Sequence, residues 1–212
     1  MSKNDSLALD TAEFLLQIKA IKLDVNNPFT WSSGIKSPIY CDNRKILSYP
    51  KVRTFVRQEF AKMISDEFGS IDLIAGVATG AIAHGVLVAQ DLGLPFAYVR
   101  SAKKEHGLTN QIEGVVESGQ SVVVVEDLVS TGQSSLAAVH ALRDAGCNVK
   151  GMVAIFTYGL DSAKSNFKKE SKPVMMEADR QLIKQALERD YIKESDLQSL
   201  ISWRENPENW GK

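Results

Sequence analysis

Apolar positions along the chain change period several times, and each change marks an element. Near the amino terminus Phe14, Leu15, Ile18 and Ile21 keep helical spacing. Asp10 with Glu13 three residues later has the form of a capping box, which predicts that this helix starts there. Phe29–Trp31 and Ile39–Cys41 read as short strands on either side of a polar turn over 32–38, punctuated by Gly34 and Pro38. From Pro50 onward Val52, Phe55, Val56, Phe60, Met63 and Ile64 form a helical apolar stripe that Gly69 closes. A strand over Ile71–Val77 follows, then a helix over Ala81–Asp91 stopped by Gly93 and Pro95, then a strand over Phe96–Arg100. Val122–Val125 is a run of four valines, the mark of a strand buried on both faces. A helix from Ser134 to Ala145, with Gly146 behind it, and a strand over Met152–Tyr158 complete the series. The β-α-β-α-β alternation predicts an α/β fold with a central parallel sheet flanked by helices. Ligands of such sheets bind beyond the carboxyl ends of the strands.

Composition narrows the classes. A chain of 212 residues can bury a substantial core in one domain. With 25 Lys and Arg against 26 Asp and Glu, it lacks the basic surplus of a nucleic-acid binder. No apolar run approaches the roughly 18 residues that suggest a membrane span. The polar start, Met1 to Asp5, does not have the form of a signal peptide. Cys41 and Cys147 lie too far apart for a zinc pattern, and reduced thiols in the cytoplasm are expected.

Two segments carry candidate chemistry. The four valines run into a carboxylate pair, Glu126 and Asp127. After Leu128 and Val129 comes Ser130-Thr131-Gly132-Gln133-Ser134-Ser135, a turn that opens the next helix. A helix start offers unpaired N–H groups and a positive dipole end to an anion, and a carboxylate pair suits hydroxyls. A phosphorylated ribose presents both. On these residues alone an ordinary crossover with polar loop residues stays equally open. The P-loop and dinucleotide patterns are absent, and Gly76–Gly85 lacks the lysine of a P-loop. The second segment, 101–114, is long, polar and charged, and sets Lys103, Lys104 and His106 behind Arg100. It reads either as a solvated excursion or as a lid that brings positive charge over a polyanion. Its place after a sheet strand on the ligand side favours the lid.

An apolar strand, an acidic pair, two apolar residues and then Ser-Thr-Gly-x-Ser closely resembles the phosphoribosyl-pyrophosphate (PRPP) signature of type I phosphoribosyltransferases. Arg100, Lys104 and His106 reproduce the spacing of the catalytic loop of orotate phosphoribosyltransferases; Lys103 matches no functional position there. The segment from Phe29 to Arg44 is similar to the amino-terminal segment of the same family, with its F-T-x-x-S-G-x-x-S-P core. The chain is therefore identified as a member of the orotate phosphoribosyltransferases, the likeness running from about residue 29 to residue 135.

The resemblance implies a type I phosphoribosyltransferase fold in a single domain, 1–212. Its core would span about 50–160, and a small hood would come mainly from 1–45 and the C-terminal helices. It implies PRPP and orotate as substrates, Mg²⁺ as cofactor, and a homodimer in which each 101–114 lid completes the partner's site. The residues carried over for PRPP are Arg100, Lys104, His106, Glu126, Asp127, Leu128, Val129, Ser130, Thr131, Gly132, Gln133 and Ser134. Glu126 and Asp127 would hold the ribose hydroxyls, and Ser130 to Ser134 the 5′-phosphate. Lys104 and Asp127 would be catalytic. Ala78, Thr79 and Gly80 form the pyrophosphate loop, and Ser130, Lys36 and Tyr40 are the candidates for orotate.

The chain departs from other members at several places. Ser32 stands where some have a lysine, and Tyr40-Cys41 where they have paired aromatics. The pyrophosphate loop carries no lysine, and Phe156–Leu160 offers no counterpart to an orotate-contacting arginine. His84 and His140 fall inside helical patterns and are expected to pack or face solvent. Trp203 and Trp210 are expected to anchor the C-terminal tail. Two other readings stay open, a phosphoribosyltransferase for another base and a PRPP-sensing regulator without turnover.

Overall fold

The computed structural model describes residues 3–31, 34–101, 111–169, 183 and 186–210. Helix α1 runs Lys3–Gln17, so Asp10 and Glu13 lie within it and do not form its cap. Glu13 serves other partners, accepting from Gln17 Nε2 at 2.9 Å and pairing with Arg189. Lys19 turns the chain with a φ of 54°, and Ile21, in helical spacing with Ile18, instead opens strand β1, Ile21–Leu23.

Strands β2, Phe29–Thr30, and β3, Lys36–Ser37, pair antiparallel, and β4, Ile39–Cys41, pairs with β1. The expected hairpin is thus divided between two ribbons. Pro38 stands between β3 and β4 and has no N–H to carry one ladder through. A 3-10 helix over Asn43–Ser48 leads to α2, Pro50–Phe68, with proline in its first turn and Gly69 as its C-cap.

The core sheet follows: β5 Leu73–Val77, α3 Ile82–Leu92, β6 Phe96–Val99, β7 Ile112–Glu113, β8 Ser121–Val129, α4 Gln133–Asp144 and β9 Asn148–Thr157. Its order is β7-β6-β5-β8-β9, parallel throughout except for β7, which adds antiparallel to β6. The segment expected as a loop through residue 114 therefore ends in an edge strand.

Alternation along β8 places Val123 and Val125 in one hydrophobic cluster with Val56, Phe60 and Val88 of α2 and α3. Val122 and Val124 fall in the other, with Ala138 and Leu142 of α4. Each side of the sheet thus has its own helical cover, and all four valines are fully buried. Helices α5, Asp161–Lys168, and α6, Glu194–Glu205, close the chain.

Trp203 of α6 is buried and donates from Nε1 to the Lys36 carbonyl at 3.1 Å. Its ring meets Trp31 and Tyr158 edge-on, at 5.8 Å each. Trp210 packs at the margin of the same cluster. The carboxyl-terminal helix and the amino-terminal ribbons thus form one hood over the end of β9, and both tryptophans anchor the tail as expected.

Candidate active site

The connections place the site. From β5 the chain moves to β6 on one side, then returns to β8 on the other, so the order reverses between β5 and β8. That switch point is where open α/β sheets bind ligands. Strand β8 runs four residues past Val125, because β9 keeps pairing with it through Glu126, Leu128 and Val129. Strand β5 pairs with β8 only as far as Val125. The acidic pair thus lies on an extension of β8 with one edge open, and not after the strand's end.

The two carboxylates differ. Glu126 turns inward and is 3% exposed. Its oxygens accept from Ser135 Oγ at 2.8 Å and from the Asp127 N–H at 3.0 Å. Burial first, and the charge of Asp127 second, push its carboxyl well above the ordinary glutamate range. Asp127 is half-buried and faces the loop after β5. A Cβ on Gly80 would overlap its carboxylate. The two carboxylates are therefore placed unequally: Asp127 presents its oxygens to the Ala78–Gly80 turn, while Glu126 lies buried beneath it.

Around Asp127 stand the other expected groups. Ala78, Thr79 and Gly80 fill the β5–α3 turn, with a cis peptide between Ala78 and Thr79 and the Ala78 N–H bonded to Val99 O at 2.8 Å. Ser130 and Thr131 lead to Gly132, which caps α4 at a φ of 80°; no side chain caps the helix, so its first N–H groups face the turn. Helix α5 backs this turn. Asn166 Nδ2 donates to Thr131 O at 3.0 Å, and a Cβ on Gly132 would come within 2.6 Å of the Phe167 ring. Leu128 and Val129 continue the strand, while Gln133 and Ser134 are exposed in the first turn of α4.

Arg100 directly follows β6 and reaches Glu113 at 3.4 Å. Its main chain is tied to Gln111, by N–H to carbonyl at 2.9 Å and by Gln111 Nε2 to Arg100 O at 3.0 Å. Both ends of the expected lid are thereby pinned together. Lys103, Lys104 and His106 lie outside the described residues. In the hood, Tyr40 is exposed and stacks obliquely on Phe29, while its neighbour Cys41 points inward. Lys36 is exposed on β3.

Sequence reading gave three groups around the acidic pair no part in the site. Asn43 is buried and donates from Nδ2 to the Asp127 carbonyl at 2.5 Å, while its Oδ1 accepts from the Cys41 thiol at 3.2 Å. It fastens the hood to the acidic motif across 84 residues of chain, a link no local pattern signals. His84 is buried in α3, as a packed histidine was expected to be, and burial holds its imidazole below the usual range against the charge of Asp127. Ser135, which holds Glu126, sits at the end of the motif that sequence reading singled out, and its full burial distinguishes it from exposed Ser134.

Residues 46–191 match the phosphoribosyl transferase domain family. The orotate phosphoribosyltransferase of Porphyromonas gingivalis is 54% identical over 201 residues, covering 94% of this chain and 96% of that protein. The chain belongs to the orotate phosphoribosyltransferases of that family. Among solved structures, the orotate phosphoribosyltransferase of Aeropyrum pernix aligns with a TM-score of 0.73 at 25% identity, over 86% of this chain and 99% of that one. The UMP synthase of Leishmania donovani aligns with a TM-score of 0.77 at 26% identity, and this chain, 92% covered, spans 42% of that longer one. The type I phosphoribosyltransferase fold and the family expected from the sequence both hold. For an orotate phosphoribosyltransferase, the β5–β8 switch point is the place where PRPP chemistry is to be sought.

Proposed function

We propose that the chain transfers the phosphoribosyl group of PRPP to orotate, giving orotidine 5′-monophosphate and pyrophosphate in pyrimidine biosynthesis. The observation that carries this reading is the meeting of a helix start without a side-chain cap, the α4 turn, with the Asp127 carboxylate above the Ala78–Gly80 loop. The N–H groups and hydroxyls of Ser130 to Ser134 hold the 5′-phosphate. Asp127 takes the ribose hydroxyls, and burial beneath it disfavours a second negative charge on Glu126. The backbone of Ala78, Thr79 and Gly80 lines the pyrophosphate, and Arg100, Lys104 and His106 supply positive charge to it. Tyr40, Lys36 and Ser130 lie on the base side.

Transfer needs little covalent help from the protein. As the bond from ribose C1 to pyrophosphate loosens, positive charge grows on the sugar and negative charge on the leaving group. Asp127 faces the first, and the cations of the lid face the second. Among the described residues no three His, Cys, Asp or Glu side chains gather to cage a metal ion. A single carboxylate such as that of Asp127 fits Mg²⁺, which keeps most of its waters and is held by one or two carboxylates together with substrate phosphates, here those of PRPP. Bound there, Mg²⁺ would offset charge on the pyrophosphate. The working form in this reading is a cytoplasmic homodimer in which each 101–114 lid closes over the partner's site.

A panel of bases offered with PRPP tests the reading. Orotate should be consumed, with pyrophosphate released, at a rate far above that for uracil, adenine or hypoxanthine. Preference for a purine would assign a different transferase, and PRPP binding without turnover of any base would assign a sensor.

A further inference from the structure

Orotate is a planar anion whose carboxylate sits on the ring carbon next to the nitrogen that receives the ribose. A group that reads this carboxylate must be a cation close both to the surface on which the ring lies and to the ribose. In this chain, that means close to Tyr40 and to Asp127. The arginine and lysine that serve some relatives have no counterpart here, so another residue has to supply the charge.

Most cations of the described hood and its surroundings are already engaged. Lys45 Nζ donates to Lys19 O at 3.0 Å, and Arg53 Nη1 to Leu47 O at 2.8 Å. Arg57 pairs with Asp91 and Arg100 with Glu113, at 3.4 Å each. Among the cations left are Lys22, on β1 opposite Tyr40, together with Lys36 and Arg44. Lys36 lies on β3, where its carbonyl is docked on Trp203. Arg44 directly follows Asn43, the residue whose amide is fastened to the Asp127 carbonyl at 2.5 Å. It also follows Asp42, which continues the outward alternation of Tyr40 along β4.

We propose that Arg44 is the specificity-determining residue that binds the carboxylate of the base, an inference that rests on orotate being the acceptor. Asp42 positions it: Oδ1 accepts from Arg44 Nε at 2.7 Å. Both terminal nitrogens are left without a bond to any described residue. The side chain is 64% exposed, so a ligand can reach them. A guanidinium fixed at Nε presents its two terminal N–H groups in the plane that matches a carboxylate, a fit an ammonium cannot reproduce. The bond and charge of Asp42 hold the guanidinium in its charged form, and the charge of Asp127 reaches it as well.

Steady-state kinetics of Arg44→Ala, Arg44→Gln, Arg44→Lys and Lys36→Ala test this, with inhibition by uracil, the same ring without the carboxylate, as the control. Wild-type turnover of orotate is established first; its failure there would refute the acceptor assignment and not the role of Arg44. In Arg44→Ala and Arg44→Gln the KM for orotate should rise about tenfold or more. The KM for PRPP and the uracil inhibition constant should stay within about twofold of wild type. Arg44→Lys should fall between, since it keeps charge without the fork. Melting temperatures decide whether the alanine variant is folded, and the glutamine variant carries the test if it is not. The proposal is overturned by an orotate KM near the wild-type value, by equal weakening of orotate and uracil, or by a larger orotate effect in Lys36→Ala.

Discussion

The carboxylate of Asp127 rests on Gly80, in the space a side chain on that glycine would occupy. Two elements far apart in sequence, the extension of β8 and the turn after β5, therefore depend on one missing methyl group. In Gly80→Ala only the end of a flexible side chain has to move, so the fold should tolerate the change. The carboxylate would be pushed from its place by an ångström or more, and kcat/KM for PRPP should fall by roughly 100-fold with little change in melting temperature. Gly85 provides the contrast, because a Cβ there would strike the Phe96 ring at 2.5 Å. In Gly85→Ala the loss should fall on stability. Kinetics and melting of the two variants side by side check both halves; unchanged PRPP use in Gly80→Ala would show that Asp127 does not need its present seat.

Glu126 sets a pH dependence of its own. Its folded carboxyl is held well above the ordinary value of 4.5, by burial first and by Asp127 second. Above that ordinary value the unfolded chain has released this proton while the folded chain retains it. Its contribution to stability is therefore lost as pH rises through the folded value. Glu126→Gln removes the titration and keeps the shape. The difference in melting temperature between variant and wild type should move in favour of the variant as pH rises from about 4 to about 9. A difference that stays flat would mean that Glu126 ionises in the folded protein without penalty. Its PRPP kinetics should also suffer less than those of Asp127→Asn, because only Asp127 faces the cleft.

Trp203 is the clamp of the hood. Trp203→Ala should cost about 3–5 kcal/mol in urea unfolding, from the void left between Trp31 and Tyr158. Trp203→Phe keeps much of the ring and loses the bond to the Lys36 carbonyl, about 1 kcal/mol. If the hood carries the base side of the site, both variants should raise the KM for orotate more than that for PRPP.

The lid is tested by complementation. Lys104→Ala should lower kcat far more than it raises the KM for PRPP, since its charge acts once pyrophosphate has begun to leave. Lys104→Ala and Asp127→Asn proteins, each nearly inactive, should regain activity when mixed if each lid serves the partner's site. With random exchange half the dimers are mixed and half of their sites intact, so recovery should approach about one quarter of wild type. Confirmed subunit exchange without recovery would place Lys104 over its own subunit's site.

The core was legible because burial on both sheet faces leaves no room for polar residues. Val122–Val125, the α2 stripe from Val52 to Ile64 and the glycine stops at Gly69 and Gly93 all stand as the pattern predicts. Local signals failed where tertiary contacts decided. Glu13 has the spacing of a capping residue but answers to Gln17 and Arg189. Ile112–Glu113 becomes a strand only because β6 offers an open edge. The family was readable from the order of residues around Glu126 and Asp127. The inequality of that pair was not, because it depends on the close approach of Gly80 and the fold-back of Ser135. Asn43, which joins the hood to Asp127, is visible only once the chain is folded.

The most direct test of the whole account is the rate of orotate consumption with PRPP in wild type and in Asp127→Asn, each checked for folding by thermal melting. The wild type should consume orotate and release pyrophosphate one for one, only when both substrates are present. Asp127→Asn should retain its melting temperature and lose most of that rate. No orotate consumption by the wild type, or an unimpaired Asp127→Asn enzyme, would contradict the account.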